Sequence, residues 1–108
     1  MRIDWAADVR RHAPDATDEV IQAIVRHCGV MLRIRETARI SFSDQDEMAR
    51  LRRDLLGRKL GLILTEAEFE RAIACVATRM KGRRPNYRVT AYYLLAEHFG
   101  ALATFVDC

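Results

Sequence analysis

The chain is expected to be all-α, a compact single-domain bundle of about five helices. Three observations lead there. Apolar residues recur at helical spacing in several stretches, as in Val20, Ile21, Ile24, Val25 and Cys28. Helix-start and helix-stop residues bracket those stretches, with Thr65-Glu66-Ala67-Glu68 the clearest start. Only 5 glycines and 2 prolines occur in 108 residues, too few for the turns of a β sandwich or barrel.

The first helix is expected over Asp4 to His12, with Ile3 or Trp5 and Val9 turned inward and Pro14 as the stop. Asp15 or Thr17 then caps a second helix, with Asp18 and Glu19 at its positive end and Gly29 past its last turn. Residues 30–42 read as a short helix followed by irregular chain. Ser43 caps a third long helix whose buried stripe is Met48, Leu51, Leu55 and Leu56. Gly57 and Gly61 bracket a turn through Leu60, after which Leu62-Ile63-Leu64 packs across the core. Phe69, Ala72, Ile73, Val76 and Met80 mark the inward face of the helix that Thr65 opens. Gly82 and Pro85 end it, and Asn86 caps the next.

That next helix, near residues 87–99, is apolar on nearly every side: Val89, Ala91, Tyr92, Tyr93, Leu94, Leu95, Ala96 and Phe99. A helix hydrophobic all round must be enclosed by other elements, so it is the expected centre of the fold. Residues 101–108 add a last turn. No linker or repeat divides the chain, so residues 1–108 are expected to form one helical domain.

Composition limits the function classes. Hydrophobic residues are 50% and charged residues 31%, an ordinary globular balance with a formal net charge of +3. That excess is mild for a dedicated nucleic-acid binder. Of the 18 basic residues all but Lys59 and Lys81 are arginine, a bias that base composition of the genome also produces. The N-terminus has no signal-like apolar run, and the greasiest stretch, 91–106, is interrupted by Glu97 and His98. A cytoplasmic, thiol-reduced protein without membrane contact is expected.

These residues resemble a small bacterial family of unknown function, the domain of unknown function numbered 2853. The resemblance spans nearly the whole chain. It is carried by Ala23-Ile24-Val25-Arg26-His27 with Gly29, by Ser43-Asp44, and by Lys59-Leu60-Gly61-Leu62. Its strongest part is Arg88-Val89-Thr90 with Tyr92-Tyr93-Leu94-Leu95-Ala96-Glu97 and Phe99-Gly100. The family pattern has an aromatic residue where Ala91 stands and a proline where Gln45 stands. The resemblance implies a compact helical fold, nothing catalytic, and no site residues to transfer.

The sharpest local feature is a basic turn of Arg79, Lys81, Arg83, Arg84 and Arg88, uninterrupted by any acid. Displayed together, these cations would hold phosphate oxygens with salt-sensitive affinity, which would make a polyanion or nucleic acid the partner. The competing reading is a solvated turn neutralised by Glu66, Glu68 and Glu70, with Arg79 and Lys81 favoured by a helix C-terminus and Arg88 paired to a buried carboxylate.

A second candidate is a protein interface formed by Tyr92, Phe99, Leu102, Phe105 and Val106. Tyr92 and Tyr93 point about 100° apart on a helix, so one is expected inside and the other in a groove or at the surface. A terminal segment this apolar either folds back on its own domain or pairs with a second copy. A third candidate is Glu97, which in an apolar pocket with Tyr92 and Tyr93 would serve as a general acid or base; the alternative is a structural pair with Arg26 or Arg88.

His27, Cys28, His98 and Cys108 are metal-ligand types, but no two have the short spacing of a zinc site. Cys28 and Cys75 fall at apolar stripe positions, where thiols fill core space. No nucleotide loop or nucleophile elbow is present, so neither cofactor nor catalysis is expected. The leading reading is a non-catalytic protein-interaction module, whose partner is another protein or a second copy of itself, the homodimer being the commonest assembly.

Overall fold

The computed structural model describes residues 3–82 and 85–106. Among them the fold is all-α. The helices are α1 (Trp5–His12), α2 (Asp18–Cys28), α3 (Arg35–Ala38), α4 (Gln45–Arg50), α5 (Glu66–Met80) and α6 (Arg88–His98). A 3₁₀ turn (Gly29–Arg33) links α2 to α3, and a second (Leu102–Phe105) follows α6. The five long helices expected from the sequence are present, and α3 is the short helix expected within residues 30–42.

Capping chemistry sets most boundaries. Asp4 accepts from Ala7 N at 3.0 Å, and Thr17, not Asp15, accepts from Val20 N at 3.4 Å. Thr65 and Glu68 form the expected reciprocal box at 3.1 and 2.9 Å. Two caps fall one residue later than expected. Asp44 accepts from Glu47 N at 3.1 Å, while Ser43 Oγ lies 3.1 Å from Ser41 Oγ. Tyr87 is the N-cap position of α6, and Asn86 instead offers its carbonyl to Ile40 N at 2.9 Å. That bond belongs to a single antiparallel bridge between Arg39 and Tyr87. Gly29 terminates α2 with φ +54°, a conformation L side chains rarely adopt.

The third long helix changes character partway. Beyond Arg50 it widens into a π-helix over Leu51–Lys59. The buried residues there are Leu51, Leu55 and Leu56, and the buried Leu60 follows as its C-cap, with gaps of four residues at either end of the set. Wider winding turns all of them to one side. π-helical turns are rare, usually short, and frequent beside functional sites.

α6 is the centre of the fold, touching α1, α2, α3, α5 and the last 3₁₀ turn. Every residue from Arg88 to Ala96 is buried. Tyr92 and Tyr93 are both buried, whereas one is expected from the sequence in a groove or at the surface, because neighbours enclose α6. The last turn folds back on its own domain. Phe105 is buried, its ring 5.8 Å from His27 and beneath Lys59 Nζ.

Two expectations fail. Leu62-Ile63-Leu64 does not cross the core: Ile63 is 100% exposed, with Leu62 and Leu64 only partly covered. Cys75 is exposed, whereas Cys28 is buried and its thiol is pushed up to about 12 by burial, against a smaller opposing effect of Arg88. The thiol at Cys28 is thereby held protonated and unreactive.

The capping box makes a direct test of how α5 is anchored. Thr65→Ala removes one acceptor and should cost about 1 kcal/mol. A thermal melt should show a midpoint lower by several degrees, with the helical signal of the native protein unchanged.

Candidate functional site

The five cations of the basic turn do not act as one patch. Arg88 is 6% exposed and points into the protein. Its Nε donates to Thr37 O at 2.6 Å, Nη1 to Tyr92 Oη at 3.0 Å, and Nη2 to Glu47 Oε1 at 2.8 Å and Arg39 O at 3.4 Å. Burial works against this charge, but Tyr92 and Glu47 outweigh it and hold the guanidinium pKa above its ordinary value. Burial, tempered by Arg88, keeps the Tyr92 phenol protonated to higher pH than usual. The buried carboxylate that the sequence left open as a partner for Arg88 is Glu47.

Arg79 is also engaged. It donates to Glu97 Oε1 at 2.8 Å and to His12 O at 2.8 Å, joining the end of α5 to α6 and α1. Lys81 is exposed and has no ion pair among the described residues. Arg83 and Arg84 lie outside the described residues.

The same pair settles the geometry around Glu97. Its partner is Arg79 rather than Arg26 or Arg88, and its side chain is 40% exposed. It stands at the surface, not in an apolar pocket, and Tyr92 and Tyr93 lie within the core. Of the second candidate set, Tyr92 and Phe105 are core residues, while Phe99, Leu102 and Val106 are half-buried against it. These side chains complete the domain's own interior. Among the described residues, which exclude Cys108, no cluster of three or more His, Cys, Asp or Glu gathers as a metal site. No helix of the described residues is long and apolar enough to cross a membrane.

Two grooves remain, and the sequence singled out neither. The first has a volume of ≈ 830 Å³ and lies between the α4–π wall and α5. Met48 and Leu56 line one side, Phe69 and Ile73 the other, and the extended residues Leu62, Ile63 and Leu64 form the lip. Arg52 braces it, donating to Leu64 O at 2.7 Å with its guanidinium 5.6 Å from the Phe69 ring centre. The walls differ in charge. Arg52 and Arg53 stand on the α4–π side, and Glu66 and Glu70 on the facing turns of α5. Asp54 is held below its usual pKa by its bond to Arg53 and by neighbouring arginines.

The second groove, ≈ 700 Å³, lies between residues 39–43 and the end of α5. Phe42 stands in the walls of both. The one hint of either groove in the sequence is the apolar triplet at 62–64, whose composition suits the core but which lines a groove instead.

A family profile, described as protein of unknown function (DUF2853), matches residues 4–103, and the chain belongs to that family. A search of curated proteins gives no match.

Two measurements probe the charged groups around Tyr92. Arg88→Met strands the Glu47 carboxylate and should lower unfolding free energy by about 3–5 kcal/mol, with Arg88→Met/Glu47→Met recovering part of the loss in denaturant titrations. His27 packs against Tyr92 and Phe105, and burial, then Lys59, lowers its pKa below 6.5. The unfolded chain therefore binds the extra proton first as pH falls, so this contribution to stability is lost below about pH 6.5 and levels off below the native pKa. The melting midpoint should drop between about pH 7.5 and 5.5 in the wild type, and by less in His27→Gln.

Proposed function

We propose that this domain is a non-catalytic protein-interaction module and that a second copy of the same chain occupies its first groove. The observation that carries the reading is Ile63, a large apolar side chain that is 100% exposed on the lip of an apolar groove. Single exposed hydrophobes are common, but one standing beside unfilled apolar walls offers a knob and a hole on the same surface. The π-helical wall supports it, since such windings concentrate where a helix presents side chains for use.

Charge selects the occupant. A two-fold interface must be self-complementary. With the axis running along the groove, rotation carries the acidic α5 rim of one copy over the basic α4–π rim of the other. An axis across the groove would set acid over acid. In the favourable arrangement each Ile63 packs into the partner's groove. Rim charges of this kind favour encounter and register more than raw affinity.

Sedimentation velocity across a concentration series tests the reading. The wild type should move from monomer to dimer, and Ile63→Asp should remain monomeric at every concentration while keeping its helical signal. Glu66→Arg/Glu70→Arg should weaken the dimer about tenfold or more, and adding Arg53→Glu should restore part of it. A wild type that stays monomeric, or a dimer indifferent to Ile63→Asp, would overturn it.

A further inference from the structure

The second groove has a different chemistry. Its floor is apolar, made by Ile40, Met80 and Phe42 with Pro85 at the side. Its rim carries Arg39 and Lys81, both exposed and neither in an ion pair among the described residues. Ser41 and Ser43 add hydroxyls 3.1 Å apart, and no described Asp or Glu lines the groove. Asn86 lies in the wall, and its buried Oδ1 is without a hydrogen-bond partner. Buried polar atoms are nearly always satisfied, so an orphaned one in a groove wall points to a missing donor.

We propose that this groove binds a small organic phosphate with an apolar, planar body, a ligand of the nucleotide class. Arg39 and Lys81 supply the charge. The Arg39 guanidinium suits two phosphate oxygens at once, and the lysine adds a mobile point charge. The serine hydroxyls donate to the remaining oxygens. The apolar body lies over Ile40 and Met80 and against the half-buried Phe42 and Pro85, where it removes apolar surface from water chiefly at the latter two. Asn86 presents its carboxamide to a donor on the ring edge, which an inorganic anion does not have. At ≈ 700 Å³ the groove lies within the size range of small-molecule sites.

The backbone that shapes the groove is held independently of any ligand. Arg88 grips the carbonyls of Thr37 and Arg39, and Ile40 N bonds Asn86 O, so residues 37–40 are fixed before binding. A preformed site avoids the ordering cost that weakens flexible ones.

The test is an amide-resolved NMR titration of the full chain with adenosine 5′-monophosphate, inorganic phosphate and a short single-stranded oligonucleotide in separate arms. The nucleotide should shift resonances of residues 39–43 and 77–82 and of Asn86, and bind more tightly than inorganic phosphate. Arg39→Ala/Lys81→Ala should weaken it by about tenfold or more. Both side chains are exposed, so that variant should keep the native helical signal, and Arg71→Ala, on α5 outside the groove, should leave binding unchanged. Equal affinity for nucleotide and inorganic phosphate would overturn the proposal, because the apolar floor would then read nothing. So would binding of the oligonucleotide alone, shifts confined to another surface, or indifference to the double variant.

Discussion

The arrangement of this protein depends on one buried arginine. Arg88 opens the central helix and turns inward, where it meets α3 through Thr37 and the following Arg39, α4 through Glu47, and its own helix through Tyr92. No other side chain could do this at that position. Lysine has a single nitrogen and cannot reach three elements at once, whereas the guanidinium fork meets four acceptors in one plane. An apolar residue would fill the space but would leave two carbonyls and a carboxylate, all partly buried, without these donors, which costs free energy. The hub thus selects one way of setting the irregular stretch before α4 against the start of α6. A purely apolar contact there would tolerate several.

That selection explains how the two grooves come to exist. Residues 37–40 have almost no regular structure of their own, only the end of the short α3 and one antiparallel bridge to Tyr87. Held by Arg88, they launch Ser41, Phe42 and Ser43 outward at a fixed point. From there Phe42 helps wall the apolar groove, while Arg39 and the serines rim the polar one. Interior polar chemistry and exterior binding chemistry are successive turns of one chain segment. On the far side of α4, the π-helical winding has the equivalent effect. It collects Leu51, Leu55 and Leu56 inward and leaves Arg52 and Arg53 at the groove.

Much of this was legible in the sequence because it is local. The caps at Thr17 and Thr65, the stop at Gly29 and the all-round apolar character of α6 need only neighbouring residues. Ser43 and Asn86 missed by one position because Asp44 and Tyr87 are adjacent and backbone geometry, not residue type, decides between them. What could not be read is tertiary. The need of Arg88 for a buried carboxylate follows from its place on a greasy helix, but Glu47 is 41 residues away and nothing in the spacing names it. Leu62-Ile63-Leu64 has the composition of core, yet the segment belongs to no helix and its exposure alternates, Ile63 turning outward while its neighbours are half-covered. The grooves themselves are gaps between elements, and a gap has no residue pattern of its own.

Phe42 gives the two grooves a shared wall, and this sets what independence between them would require. Occupants of two sites that share a side chain are energetically uncoupled only if that side chain adopts one position in every bound state. If a ligand in the polar groove prefers a Phe42 position different from the one a protein partner prefers, each weakens the other by the same factor, whichever binds first. If both prefer the same position, each strengthens the other. The sign rests on one aromatic ring, three residues beyond the Arg39 carbonyl that Arg88 holds. If both proposed occupants bind, their coupling is a property of that shared ring.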